Sequence, residues 1–271
     1  MEKNKEKIEA LSKEIRRLSV IMAHDTNTSH TGGALSMADI LSVLYSGVIN
    51  VTPKTTESPD RDRFILSKGH CCASLYAVLA LKGFFGIDEM MKGYGRDGSQ
   101  FFTHVSHKLN GIELSTGSLG HGLPVAAGMA LGAKSQGKEF RVYCLVGDGE
   151  LDEGSNWEAV MFAAHNRLDN LCLIVDKNKM QALGDTKDVL CLDPLDDKFR
   201  AFQWNVIRID GHDIGCIIRA FEDFRKMETK PTVIICDTIK GKGVSYMENV
   251  LKWHYSAPND ELLNQALEEL K

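Results

Sequence analysis

Two apolar runs, Arg141–Val146 (RVYCLV) and Leu171–Val175 (LCLIV), constrain this chain more than any other feature. Both are continuous rather than alternating, so each reads as a strand buried on both faces, the habit of parallel sheets. Residues 153–168 between them read as a crossover helix, the connection that two parallel strands need. The first run ends in Gly147-Asp148-Gly149 and the second is followed by Asn178. Asp148 and Asn178 therefore sit just past the carboxyl ends of the two strands, the edge where ligands bind in open α/β sheets. A carboxylate and an amide oxygen are hard ligands suited to Mg²⁺ or Ca²⁺, and Gly149 lets the backbone approach a phosphate. A tight turn followed by an unrelated Asn would account for the same letters.

The rest of the chain alternates helix and strand without a linker, repeat or low-complexity tract. That pattern predicts one domain over residues 1–271, an α/β fold with a doubly wound, mostly parallel sheet flanked by helices. Helices are expected at about 5–24, 36–48, 71–83, 120–136, 153–168, 213–227 and 260–270. Strands are expected at about 64–66, 141–146, 171–176, 205–209 and 232–237. Residues 84–118 read as a long, polar, Gly-rich irregular stretch carrying His104 and His107, and a stretch of that kind inside a compact domain points to function.

Composition excludes several classes. A net charge of −5 gives no basic field for nucleic acid. The basic clusters Arg16-Arg17 and Lys134–Lys138 read as solvated helix faces. The 7 Cys include no CxxC pair, and Cys144, Cys172 and Cys236 lie in apolar runs, where a thiol behaves as a small hydrophobe. That usage fits a reducing, cytoplasmic compartment and argues against zinc. The amino-terminal segment is charged and amphipathic, unlike a signal peptide, and no apolar run approaches the ~18 residues of a membrane span.

Four further segments, together with the Gly147–Gly149 motif, carry a family resemblance. Ser29–Gly33 (SHTGG), Leu66–His70 (LSKGH), Ser115–Gly122 (STGSLGHG), the Gly147–Gly149 motif with Asn178, and Trp253-His254 occur in that order. Together they resemble the amino-terminal half of transketolase, a thiamine-diphosphate enzyme, from about Leu11 to Asn259. The resemblance implies the thiamine-diphosphate-binding fold and, within it, the diphosphate-binding domain. It implies Asp148, Asn178 and the Met180 carbonyl as metal ligands, and Gly149 as an amide donor to the diphosphate. His70 and His254 match diphosphate-binding histidines that belong to the catalytic set, and Lys68 and Lys240 match nearby cations. Gly117, Ser118 and Leu119 match the segment whose backbone reaches the aminopyrimidine ring. Taken alone, Ser118 reads as the cap of a helix opening near Gly120, and His70 as a cap or surface residue.

His30 and His104 match histidines that contact substrate hydroxyls and reacting oxygens, work that suits an imidazole. Where the family carries Gly-His-Pro this chain has Thr103-His104-Val105, so His107 stands as a second candidate. His121 replaces the usual Gln, and no Pro follows His30. Glu153 matches a glutamate at the subunit interface beside the cofactor; by itself it reads as an acidic helix N-terminus. The glutamate that activates the pyrimidine ring belongs to a second domain that finds no counterpart here. The resemblance therefore implies a split enzyme. This chain would need a carboxy-terminal, pyrimidine-binding subunit, two copies of each, meeting around residues 111–123 and Glu153 on an apolar surface.

The implied reaction is transfer of a two-carbon ketol unit between sugar phosphates, with thiamine diphosphate as the electron sink. Two other readings stand beside it: an α-type subunit of a 2-oxo acid dehydrogenase, and a non-catalytic cofactor-binding partner. The first class lacks the STGSLG and Trp-His segments.

Overall fold

The computed structural model describes residues 2–271. In chain order its elements are α1 (Glu2–Thr26), α2 (Thr31–Ser36), α3 (Ala38–Val43), β1 (Arg63–Leu66), α4 (Cys72–Leu81), α5 (Ile87–Gly93) and α6 (Gly122–Ser135). Then come β2 (Val142–Gly147), α7 (Gly154–His165), β3 (Leu171–Lys177), β4 (Met180–Gln181), β5 (Gly184–Asp185), α8 (Thr186–Val189) and α9 (Leu195–Ala201). The chain closes with β6 (Asn205–Asp210), α10 (Ile214–Lys226), β7 (Thr232–Asp237) and α11 (Asp260–Glu269). Five strands form one sheet in the order β1-β2-β3-β7-β6, every pair parallel. β4 and β5 make a small antiparallel ribbon just after β3.

Alternate residues of each strand face opposite layers, as the period of two requires. Phe64, Leu66, Tyr143, Leu145, Cys172, Ile174, Ile234 and Cys236 join one core with α1, α3, α4 and α10. Ile65, Val142, Cys144, Val146, Leu173, Val175 and Val233 join a second core with α6, α7 and α9. The sheet is thus covered on both faces, and the continuous apolar runs have their physical reason. The three core thiols Cys144, Cys172 and Cys236 are free and packed as small apolar groups.

The chain leaves β1 toward the α4 layer but leaves β2 toward the α7 layer. That divergence opens a crevice at the carboxyl ends of the strands. A third cluster of Val20, Leu35, Val244, Met247, Trp253, Ala266 and Leu270 straps the carboxy-terminal segment onto α1. Trp253 Nε1 donates to Tyr246 O at 2.7 Å, which anchors the turn that carries His254 to the crevice mouth.

All five expected sheet strands form within two residues of their expected ends. The expected helix at 36–48 does not form as one piece. Met37 interrupts it between α2 and α3, and it unwinds at Ser46 and Gly47. Gly47 takes φ 128°, a value only glycine adopts without strain, so the helix ends there. The stretch 84–118 is irregular except for α5, and Phe101, Val105 and Leu109 anchor it in the first core. Helix α9 went unforeseen because its 7 residues give too short a window for periodicity, although Leu195 and Phe199 are buried one turn apart.

The basic clusters divide. Lys134 and Lys138 form surface pairs with Asp169 and Asp60. Arg16, expected on a solvated face, is instead buried against Asp39. Among the described residues no helix is long and apolar enough to cross a membrane.

Candidate functional site

The crevice holds a cleft of about 260 Å³. β1 delivers Lys68 and His70 to it, β2 delivers Asp148 and Gly149, β3 delivers Asn178, and β7 delivers Lys240. His30 enters from the amino-terminal end of α2 in a left-handed conformation, φ 71°. Its backbone N–H donates to His254 O at 2.9 Å, and its Nδ1 lies 2.8 Å from Ser29 Oγ. The imidazoles of His70 and His254 each lie 5.0 Å from that of His30, and His104 lies 6.0 Å away. Four histidines remote in sequence thus converge on one wall.

Beside the histidines the cleft brings cations and anions together. Asp148 Oδ2 accepts the Lys179 N–H at 2.6 Å, and its Oδ1 accepts the Gly149 N–H at 2.9 Å. Asn178 Oδ1 accepts the Met180 N–H at 3.1 Å, with Lys179 between them at φ 67°. This tight turn brings the Asn178 amide oxygen and the Met180 carbonyl to the same end of the cleft as Asp148. Lys240 Nζ donates to His254 Nδ1 at 2.9 Å and approaches Met180 O at 3.4 Å.

Sequence reasoning missed two buried carboxylates here. Asp176 is 0% exposed and accepts from Lys68 Nζ at 2.6 Å, Ser36 Oγ at 2.5 Å and Thr238 Oγ1. Glu150 is also buried and lines the cleft. Its Oε1 accepts from Ser67 Oγ at 2.5 Å and Gly120 N at 3.0 Å, and its Oε2 accepts from Gly147 N at 3.2 Å. Ser67 Oγ in turn accepts the Gly122 N–H at 3.1 Å. The STGSLG segment is thereby pinned to the ends of β1 and β2. Gly120 takes φ 80° there, and any Cβ would sit 2.6 Å from Glu153 Cβ. The only sequence signal for Asp176 was a charge at the end of an otherwise apolar strand.

Burial and like neighbours set the electrostatics. Burial pushes His30 down to about 4, helped by His104, Lys240 and Lys68. Burial and then Lys240 push His254 down to about 3, and burial holds His70 well below the usual range. Burial and the Asp176 charge raise Asp148 to about 7 against the pull of its two backbone donors. Burial lowers Lys240 to about 8. Burial alone would raise Asp176, but Lys68 overcomes it and the carboxylate is held below the usual range.

These shifts predict an acid-labile empty chain. Below pH 6.5 the unfolded chain protonates the three imidazoles that the folded chain keeps neutral, so stability falls as pH drops from 6.5 toward 4. Asp148 opposes this, because between about 7 and 3.8 the folded chain holds its proton more tightly. Glu150 and His24, raised by smaller shifts, oppose it too, and the three strongly lowered imidazoles outweigh them. Urea midpoints at pH 7, 6 and 5 should fall steadily, and His30→Gln should fall less over the same window.

A divalent cation fits the donor set. The Asp148 carboxylate, the Asn178 amide oxygen and the Met180 carbonyl are all hard oxygens, and the raised Asp148 marks a buried negative charge without enough positive compensation. A cation there would relieve it.

Of the residues expected from sequence, all line this cleft except Ser118 and Glu153. Ser118 is exposed and caps nothing, since α6 opens at Gly122 with His121 as its cap residue and no side-chain cap bond. Glu153 is exposed at the start of α7 and also makes no cap hydrogen bond. His104 faces the cleft. His107 lies outside it, exposed, with Nδ1 2.6 Å from Ser115 Oγ. His121 is exposed, its Nδ1 3.0 Å from Leu119 O.

Comparison with known proteins identifies the family. The family described as transketolase, thiamine diphosphate binding domain, matches residues 7–270. The chain is 44% identical over 268 residues to an apulose-4-phosphate transketolase subunit of Actinobacillus succinogenes, covering 98% of this chain and 96% of that protein. It is 42% identical over 258 residues to the 6-deoxy-6-sulfo-D-fructose transketolase subunit SqwG of a Clostridium species, covering 95% and 94%. Among solved structures, transketolase from Campylobacter jejuni superposes with a TM-score of 0.92 at 34% identity, over 97% of this chain but only 43% of that one.

Proposed function

The chain belongs to the transketolase family, as its thiamine diphosphate-binding domain, and from that premise we propose that it is the cofactor-binding subunit of a two-chain transketolase. One observation carries the reading. Relatives named as subunits match it nearly end to end, while it spans only 43% of the Campylobacter jejuni transketolase. The same names favour transketolase over the 2-oxo acid dehydrogenase alternative.

In this reading residues 1–271 form a single diphosphate-binding domain. Asp148, Asn178 and the Met180 carbonyl hold Mg²⁺ (or Ca²⁺), and the Gly149 amide, His70, His254, Lys68 and Lys240 face the diphosphate. Backbone groups of Gly117, Ser118 and Leu119 approach the pyrimidine ring. When bound, thiamine diphosphate supplies the electron sink for a two-carbon ketol transfer from a ketose phosphate to an aldose acceptor. His30 and His104, kept close by the shared wall, are the groups that hold or move protons at substrate oxygens. Glu153, exposed beside Gly120, belongs to the subunit interface.

The partner we propose is a carboxy-terminal, pyrimidine-binding subunit, two copies of each chain, in the cytoplasm and in carbohydrate metabolism of the pentose-phosphate type. Exposed apolar residues beside the expected segments support it. Residues 111–123 present the exposed polar side chains Ser115, Ser118 and His121, and the exposed apolar side chains that follow these segments on the two adjoining helices are Val125 on α6 and Met161 and Phe162 on α7.

The test is reconstitution. This chain alone, with thiamine diphosphate, Mg²⁺ and a ketol donor, should be inert, and adding the complementary subunit should give turnover. Robust turnover by the single chain would overturn the reading. In the complex, His30→Ala and His104→Ala should each lower turnover about 100-fold or more with cofactor affinity nearly unchanged. His107→Ala should change turnover little.

A further inference from the structure

The buried pair Arg16–Asp39 lies outside the cleft, yet it leads back to it through one histidine. Arg16 grips Asp39 with two bonds, Nη1 to Oδ1 at 3.1 Å and Nη2 to Oδ2 at 2.5 Å. Asp39 also meets His212 Nδ1 at 2.7 Å. The other ring nitrogen, His212 Nε2, accepts the Ile239 backbone N–H at 2.9 Å. An ionised Asp39 requires a proton on Nδ1, and the Ile239 donor requires a bare Nε2, so these two contacts select one neutral tautomer.

The residue after Ile239 is Lys240, which is 2% exposed and reaches His254 Nδ1 and Met180 O. Its segment is held on three sides. Thr238 Oγ1 donates to Asp176, Gly241 N donates to Gly32 O at 2.8 Å, and His212 takes Ile239. The first and last of these come from groups whose own orientation is fixed by ion pairs. A lysine side chain has much rotamer freedom, so a fixed backbone at its root decides where its ammonium points.

We propose that His212 is a positioning residue for Lys240: braced by Asp39 and Arg16, it holds the Ile239 amide so that the Lys240 ammonium is directed at the diphosphate end of the cleft. This rests on the cofactor reading above and adds a residue that touches neither cofactor nor substrate. Two substitutions separate positioning from mere packing. In His212→Gln the side-chain amide presents a donor and an acceptor on one carbon, the same relation as Nδ1–Cε1–Nε2, and can serve both partners. In His212→Asn the shorter side chain keeps a donor near Asp39 but cannot reach Ile239.

The experiment is calorimetric titration of thiamine diphosphate with Mg²⁺ into the full chain co-purified with its complementary subunit. Amide hydrogen exchange over residues 238–241 and thermal melting are followed in parallel. His212→Asn should weaken binding about tenfold, in line with the loss of one buried hydrogen bond. It should also speed exchange at Ile239 while still melting cooperatively. His212→Gln should bind within about threefold of wild type. Wild-type affinity in the Asn variant, with Ile239 exchanging faster, would overturn the positioning role. Equal loss in both variants would do the same. Failure of the wild-type complex to bind would instead overturn the functional reading, and this inference with it.

Discussion

Replacing Asp176 with Asn should cost the fold about 3–5 kcal/mol, the usual consequence of stranding one member of a buried ion pair. Asp176 and Lys68 are 0% and 2% exposed, and their side chains meet at 2.6 Å. Without the carboxylate, Lys68 keeps the Gly33 carbonyl at 3.0 Å but loses its ion-pair partner. Ser36 and Thr238, which also donate to Asp176, would have to share an amide oxygen. Chemical denaturation of the chain without cofactor is the measurement. An Asp176→Asn midpoint equal to wild type would show that water or a second carboxylate balances Lys68.

Asp148→Asn, which removes the same charge one strand away, should do the opposite to stability and far more to binding. The Asp148 carboxylate is raised to about 7 by burial and by Asp176, so above that pH its charge is a strain on the empty fold. The amide variant should be as stable as wild type or more so at pH 8. Metal-dependent binding of thiamine diphosphate should nevertheless fall by more than about 100-fold. Groups that only support a metal ligand already cost about 10–100-fold when lost, and Asp148 is proposed as a ligand itself. Calorimetry with and without Mg²⁺ decides it, and unchanged affinity would remove Asp148 from the site. The contrast between the two aspartates separates a charge kept for the fold from one kept for a ligand.

Much of the site was legible because its residues follow strand ends. Lys68, Asp148 and Asn178 each come within two residues of the last position of a strand in the parallel sheet, so locating the strands located the cleft. The histidines were legible by resemblance rather than by pattern, since no local periodicity links His30 to His254. Where local pattern was the sole guide it failed in characteristic ways. Ser118 looked like a cap, but the helix opens later, where Gly122 N bonds Ser67 instead of a residue of its own turn. His104 and His107 could not be told apart, because which of them turns inward depends on how the 84–118 stretch packs on α4: Tyr76 Oη donates to His104 O at 2.8 Å.

By itself the sequence determined the layer architecture, the parallel sheet and the edge of that sheet where a ligand binds. Those depend on apolar runs and on the residues next to them, and such a run is a local property of the chain because burial asks only for apolar surface, whichever segment covers it. The tertiary structure alone decided which charges are buried. Arg16 resembles any exposed helix residue until Asp39, 23 positions away, and His212, 173 positions beyond Asp39, close around it. Asp176 resembles any strand-end acid until Lys68 arrives from 108 positions away. A charge can leave water only where its partner is already waiting, and no local pattern encodes a partner that far along the chain.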